Sequence, residues 1–234
     1  MNNEFKKGLK NGLPICIGYL AVSFSFGIFA VANGLTVLEA ILISLTNLTS
    51  AGQLAAVPII ACGGSLFELA LSQVFINLRY ALMSVSLSQK FDKDVKLYDR
   101  FFISFANTDE VFGVASTQKG SVSKSFMYGL ILTPILGWTI GTAFGAFSGG
   151  ILPTIVVSAL GIAIYGMFIA IVIPAVKAHK PTAVCVLVAT ALGLFFYYVP
   201  PFSQIPSGFT IIICAVLSSL LLALIAPIEQ KENE

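Results

Sequence analysis

Charged residues are scarce in this chain, and their scarcity excludes an ordinary soluble domain. Only 10% of the 234 residues are charged, 57% are hydrophobic, and the mean hydropathy is +0.93. An average soluble domain carries about 25% charged residues. The net charge of +2 comes from basic residues in short stretches rather than in a tract, so no nucleic-acid partner is expected. The composition indicates a polytopic protein that is embedded in the lipid bilayer.

Histidine and paired cysteines are also missing from the apolar part of the chain. The single histidine, His179, lies in the loop motif AVKAHKP, and the four cysteines show no CxxC spacing. Neither a GxSxG nor an HExxH motif occurs. We therefore expect no metal site, no disulfide, no cofactor and no enzymatic activity. An intramembrane hydrolase stays as an alternative, beside a channel or a scaffold.

Long apolar runs predict the fold class. About 20 apolar residues suffice for a helix to cross a hydrocarbon core of roughly 30 Å. Two apolar segments, 37–60 and 97–117, carry polar residues in their middle. We predict an all-α polytopic membrane helix bundle with six full spans plus two broken or re-entrant hairpin segments, forming one domain over residues 1–234. The six spans are expected at 13–32, 67–87, 126–147, 152–176, 182–199 and 209–227.

The distribution of lysine and arginine predicts the topology, because basic residues collect on the cytoplasmic side of a membrane. Six crossings with a cytoplasmic N-terminus place every basic loop on that side, whereas the connections near residues 149 and 200 carry no lysine or arginine. This holds only if 37–60 is an outer hairpin and 97–117 an inner one. Both termini are then cytoplasmic. An alternative with eight crossings leaves the basic residues between 90 and 100 outside. The first run is long for a signal peptide, so we expect it to be retained.

The first interrupted segment, SLTNLTSAGQLAAVP, is suited to a break in a helix. Its middle is small or polar, and Pro58 removes a backbone donor further on. Broken helices at membrane depth are tolerated where they line a cavity, and transporters bind substrates there. The alternative is a continuous helix whose small residues let a neighbour approach closely. The residues predicted to bind substrate in this segment are Asn47, Ser50, Gly52 and Gln53.

The predicted helix over 67–87 carries a polar stripe. Gln73, Asn77, Tyr80, Ser84 and Ser88 follow a helical spacing and fall on one face. Arg79 lies roughly opposite Asn77, near the middle of the helix. We therefore expect this helix to be enclosed by protein on both sides, with Asn77 and Arg79 among the residues that bind substrate.

Two adjacent acids, Asp109 and Glu110, interrupt the apolar run ISFANTDEVFGVA. A charge at mid-membrane costs about 2.5–3.5 kcal/mol even on lenient scales, so Arg79 needs a counter-ion. We predict that one acid pairs with Arg79 and the other faces the cavity as a titratable group, with Asp109 favoured as the partner. In the alternative, the segment is shallow and both acids are hydrated at the cytoplasmic edge.

Glycines recur at every fourth position in the predicted helix over 126–147. Gly137, Gly141, Gly145 and Gly149 share one face, which predicts close contact with another helix, either within the chain or in another subunit.

Four motifs in this order resemble the AzlC family, the large subunit of branched-chain amino-acid exporters. They are GLPICIGYLAVSFSFGIFA, SAGQ, NLRYALMS and TDEVFG, and the resemblance covers nearly the whole chain. It implies a permease of the bacterial inner membrane that works with a small AzlD-type subunit to expel valine, leucine, isoleucine or analogues. With this partner, we expect the glycine face to receive the small subunit, so that Gly141→Leu would release the subunit and spare insertion. Tyr80 departs from the histidine common in the family, which puts a proton role at that position in doubt.

On this basis we expect a zwitterionic amino acid as the substrate. Its carboxylate would meet Arg79 or the N–H groups of residues 50–53, and its ammonium group would meet Asp109 or Glu110. Its apolar side chain would meet phenylalanines, with Phe24, Phe26, Phe105 and Phe112 as candidates.

Overall fold

The described part of the chain is helical apart from loops and one isolated bridge between Phe91 and Val122. The computed structural model describes residues 3–149 and 180–225, with a few isolated positions between 153 and 177. The helices are α1 Asn3–Ala32, α2 Val37–Thr46, α3 Ser50–Ala61, α4 Leu66–Ser88, α5 Leu97–Phe105, α6 Asp109–Ser116, α7 Lys124–Ser148, α8 Lys180–Tyr198 and α9 Ser207–Ile225.

Five of these helices, α1, α4, α7, α8 and α9, are long and apolar enough to cross a membrane. They coincide with five of the six predicted spans, which confirms an all-helical membrane protein. The remaining span, 152–176, lies outside the described residues. The number of crossings and the side of each terminus stay predictions.

Short polar residues determine where several helices begin. The Thr36 hydroxyl accepts the N–H of Glu39, and the Glu39 carboxylate accepts the N–H of Thr36, which forms a reciprocal cap on α2. Ser65 caps α4 and Ser123 caps α7 by accepting backbone N–H groups of the first turn. These caps separate elements that the apolar composition alone would run together.

Helices α1 and α7 lie side by side along their lengths and run parallel. Gly8 of α1 meets Phe126 near the start of α7, and Gly27 meets Thr142 near its end. A Cβ atom added at Gly137 would lie 2.6 Å from the carbonyl oxygen of Cys16, so the backbones can approach this closely only because glycines stand at the contact.

The glycine face of α7 is therefore occupied by α1. Gly137, Gly141 and Gly145 all contact α1 backbone or side-chain atoms, whereas an added Cβ at Gly149 would find only ordinary contacts beyond 3.5 Å. The expectation that this face receives a separate subunit was wrong. Close contact was the correct inference, but the partner helix belongs to the same chain.

Both interrupted segments are broken helices. Residues 47–49 separate α2 from α3, with an extended backbone at Asn47 and Thr49, and residues 106–108 separate α5 from α6. The predicted break in the first segment is therefore present. We call α2–α3 the first hairpin and α5–α6 the second hairpin.

The second hairpin starts and ends at the same end of the bundle. The N–H of Asp92 donates to the carbonyl oxygen of Val122 at 3.0 Å, and the N–H of Val122 donates to that of Lys90 at 2.8 Å. The Lys90 ammonium group also donates to the carbonyl oxygen of Gln118 at 2.7 Å. The residues just before α5 therefore lie against those just after α6.

The first hairpin enters from the opposite end. Because α4 ends where α7 begins, and α7 runs parallel to α1, α4 must begin near the end of α1. The first hairpin connects those two points, and Gly64, just after it, lies close to Glu68 in the first turn of α4. The two hairpins thus approach each other from opposite ends of the helical bundle.

This arrangement predicts a labelling pattern. Single cysteines at Asp94, Lys119 and Lys177, in a background without the four native cysteines, are expected to be shielded from an impermeant thiol reagent in intact cells. A cysteine at Ser203 is expected to react, because Ser203 lines a cavity beside Glu68 at the other end of α4. Reaction at Asp94 together with protection at Lys119 would contradict the second hairpin.

Candidate functional site

The tips of both hairpins reach the middle of the long helices. In the second hairpin, Asn107 donates to Ser84 of α4 at 3.1 Å, and Thr108 lies 2.8 Å from the phenol oxygen of Tyr19, near the midpoint of α1. In the first, the Asn47 amide donates to Gln73 of α4 at 3.3 Å. Non-helical backbone at this depth is enclosed by protein, as a membrane requires.

A cavity of about 730 Å³ lies between the two tips and is walled by α1, α4 and α7. We call it the central cavity. Its apolar lining is formed by Pro14, Ile15, Val22, Leu48 and Trp138. Its polar lining residues are Tyr19, Ser50, Arg79, Tyr80, Thr108, Asp109 and Glu110. Its size falls within the range of small-molecule sites, about 300–1,000 Å³.

Arg79 pairs with Asp109 in the central cavity. The guanidinium and carboxylate approach to 2.6 Å, and the Arg79 guanidinium lies over the Tyr80 ring and donates to its hydroxyl at 3.1 Å. The two charged side chains are 48% and 46% exposed, so protein does not fully enclose the pair. The expected enclosure of α4 on both sides was wrong, because Val74, Leu78 and Leu82 are also exposed.

Glu110 has a different partner. Its carboxylate accepts a hydrogen bond from the Tyr19 hydroxyl at 2.5 Å. Because a phenol has one hydrogen, the Thr108 hydroxyl donates to the Tyr19 oxygen when Tyr19 donates to Glu110. Both acids thus sit at the start of α6 near the middle of α1 and α4, away from the basic loops, which does not fit the shallow-edge alternative.

A buried hydrogen-bonded series connects the first hairpin to α7. The Trp138 indole N–H donates to Gln53 at 2.7 Å, Gln53 donates to Ser44 at 2.8 Å, and Ser44 lies 2.7 Å from the hydroxyl of Thr142. The Tyr19 and Trp138 rings meet edge to face at 5.0 Å. The two hairpins are therefore linked through one aromatic pair at the centre of the molecule.

Two helix N-termini face the central cavity without side-chain caps. Neither Thr49 before α3 nor Thr108 before α6 caps the first turn with its side chain. The unpaired N–H groups of a first turn carry a partial positive charge, which favours anionic groups. In the first turn of α6, the anionic groups are Asp109 and Glu110 of the helix itself. In the first turn of α3, Ser50 and Ala51 line the cavity instead.

The structure divides the predicted substrate residues into two groups. Ser50, Arg79, Asp109 and Glu110 line the central cavity. The others contact protein: Gln53 is fully buried between Trp138 and Ser44, Asn47 and Asn77 bind Gln73, and an added Cβ at Gly52 would lie 2.5 Å from the Gln73 side-chain oxygen. Those four, Asn47, Gly52, Gln53 and Asn77, thus hold the first hairpin in place.

The predicted phenylalanines do not line the central cavity. The backbone of Phe24 lies against Gly145, Phe26 is buried in a core with Ala146, and Phe105 and Phe112 belong to other surfaces of the second hairpin. The apolar wall is formed instead by the residues named above for the cavity. Sequence reasoning missed Tyr19, Trp138 and Thr108, whose only signal is a hydroxyl or indole group within an apolar run.

No group of three or more His, Cys, Asp or Glu side chains with metal-binding geometry occurs among the described residues. Two buried carbonyl oxygens, those of the Asn77 and Asn107 side chains, accept no hydrogen bond from the described residues. Both lie beside a hairpin tip, where a bound water can satisfy them.

Comparison with known proteins finds one matching family model and several similar membrane proteins. The family model described as AzlC protein matches residues 14–152. The chain is 29% identical over 227 residues to a protein of Escherichia coli K12 named inner membrane protein YgaZ, which covers 94% of this chain and 91% of that protein. It is 33% identical over 181 residues to an uncharacterized membrane protein of Archaeoglobus fulgidus, covering 76% and 79%. No solved structure gives a significant match.

Proposed function

The chain belongs to the AzlC family, and we propose that it is a permease that exports branched-chain amino acids across the bacterial inner membrane. The substrates are valine, leucine, isoleucine or close analogues. A small AzlD-type subunit completes the exporter, and an ion or proton gradient drives it. The chain is a transporter rather than an enzyme and needs no cofactor.

The observation that carries this proposal is the charge arrangement in the central cavity. A zwitterion requires an anionic group for its ammonium and a cationic group for its carboxylate. Glu110 and Asp109 supply the first, and Arg79 with the uncapped start of α3 supplies the second. The wall of Leu48, Ile15 and Trp138 then receives a branched apolar side chain.

The two opposed hairpins support transport over simple binding. Transporters commonly bind substrate at mid-membrane between two elements of opposite orientation, and the site opens to either side when one element rocks against the other. Here each hairpin reaches the cavity from a different end of the bundle. Withdrawal of either tip would open the cavity toward that end only.

Neutralising Glu110 tests the proposed substrate contact. Glu110→Gln is expected to lower valine efflux about tenfold to a hundredfold, because one hydrogen bond to a charged group is worth about 1.5–3 kcal/mol. The measurement is efflux of labelled valine from preloaded vesicles that contain both subunits.

Glu39→Gln is the matched control. Glu39 is exposed in the first turn of α2, and a glutamine there can still accept the Thr36 N–H. It should export valine like the wild type. Unchanged efflux in Glu110→Gln would rule out a role for this carboxylate in substrate binding.

A further inference from the structure

A groove of about 450 Å³, separate from the central cavity, runs between the second half of α4 and the length of α5. It shares no lining residue with the central cavity. Two of its polar lining residues, Asn107 and Ser84, form a hydrogen bond with each other. Its walls are largely apolar, formed by Val85, Leu87, Leu97, Phe101 and Ile103.

The groove opens onto an apolar surface. Leu97 is 84% exposed, Phe101 is 75% exposed and Val85 is 62% exposed. Three large apolar side chains of this exposure around one groove form the kind of patch that contacts a membrane or a partner. In a chain with this composition, the hydrocarbon of the bilayer is the medium such side chains meet.

One end of the groove carries a cation. Arg100 lines it and stacks over Phe91 at 5.7 Å. No carboxylate in the described part of the chain forms an ion pair with Arg100: Asp94 pairs with Lys124 at 3.8 Å, and Asp99 accepts from Tyr128 at 2.8 Å. The guanidinium is thus available to an external anion.

We propose that this groove holds an acyl chain of an anionic phospholipid, with the lipid phosphate bound by Arg100. Arginine binds phosphate through paired N–H donors, and basic pockets beside membrane helices hold anionic head groups. The neutral apolar groove with one cation at its mouth complements a molecule that is apolar along its length and anionic at one end.

The proposed lipid lies behind the substrate site. Asn107, at the deep end of the groove, is two residues from Asp109 in the central cavity. A chain in the groove supports α5 from the side that protein leaves open. The lipid therefore stabilises the second hairpin in the position that presents Asp109 and Glu110.

Native mass spectrometry of the purified chain tests the proposal, after addition of phosphatidylglycerol or phosphatidylcholine to delipidated protein. The wild type is expected to retain phosphatidylglycerol preferentially. Arg100→Gln should lower that preference about fivefold, the effect of one basic residue near an anionic lipid surface. Lys93→Gln removes the same charge from an exposed residue outside the groove and should change little.

A second variant fills the groove. Ser104→Phe places a ring where the acyl chain would lie and should lower the retention of both lipids. This test does not depend on how much folded Arg100→Gln protein is obtained. Equal retention of the two lipids by the wild type would overturn the proposal. It would also be overturned if Lys93→Gln lost as much of the preference for phosphatidylglycerol as Arg100→Gln. Unchanged lipid retention by Ser104→Phe would also overturn it, because an acyl chain cannot occupy a filled groove.

Discussion

Replacing Arg79 with alanine is expected to abolish valine export and to lower the yield of folded protein. The substitution removes the cation proposed to bind the substrate carboxylate and leaves Asp109 without its partner. Surface ion pairs contribute about 0–1 kcal/mol, and breaking a buried pair costs about 3–5 kcal/mol. Because each side chain is about half exposed, we expect a loss of about 1–3 kcal/mol.

The double variant separates stability from transport. Asp109→Asn added to Arg79→Ala removes the unpaired carboxylate and should recover much of the folded yield in detergent, while export stays absent. Asp109→Asn alone should lower yield, because it leaves Arg79 unpaired. Wild-type yield and export in all three variants would show that this pair contributes to neither folding nor transport.

The ion pair was predictable because charge in a membrane is expensive. One arginine in the middle of an apolar helix demands an acid at the same depth, and the apolar segments offer few. The breaks of the two hairpins were also predictable. Clusters of Asn, Thr, Ser and Gly compete with helical hydrogen bonding, and both breaks contain an asparagine followed by a threonine that precedes the next helix.

The division between cavity and packing residues could not be predicted. Ser50, Gly52 and Gln53 are all small or polar and lie within one helical turn, yet Ser50 faces the cavity while Gln53 is buried against Trp138. Their environment depends on which way α3 faces, and α3 is oriented by contacts with Gln73 of α4 and Trp138 of α7, which lie 21 and 85 residues away in sequence. Local composition carries no information about that orientation.

Aromatic residues were the hardest to assign. Phe24 and Tyr19 both belong to α1, and their positions differ by a little over one helical turn. The Phe24 backbone lies against Gly145 of α7, and Phe24 does not line the cavity, whereas Tyr19 reaches the second hairpin with its hydroxyl. In an apolar helix, an aromatic side chain is equally suited to contact lipid, the protein core or a cavity, so composition does not distinguish the three environments. The distinguishing contact is made across 91 residues of sequence.

Gly141→Leu is expected to lower the folded fraction of this chain substantially, whether or not a small subunit is present. An added Cβ at Gly141 would lie 2.6 Å from the carbonyl oxygen of Leu20 and 3.0 Å from its Cα atom, and neither is a flexible side-chain end that could move away. Overpacking of a close contact costs about 1–3 kcal/mol, and a rigid backbone contact favours the upper part of that range. Size-exclusion chromatography of a fluorescent fusion in detergent measures the folded fraction.

Gly193→Leu in α8 is the matched control, because a Cβ atom there meets nothing within 4 Å. The same change at an open position should leave the folded fraction near that of the wild type. The comparison distinguishes the two origins of the glycine series on α7. Loss of folded protein in Gly141→Leu when the chain is expressed alone follows from contact with α1. A normally folded chain that loses only its small subunit would instead mean that the glycine face serves another chain, and that the parallel packing of α1 on α7 is not required for the fold.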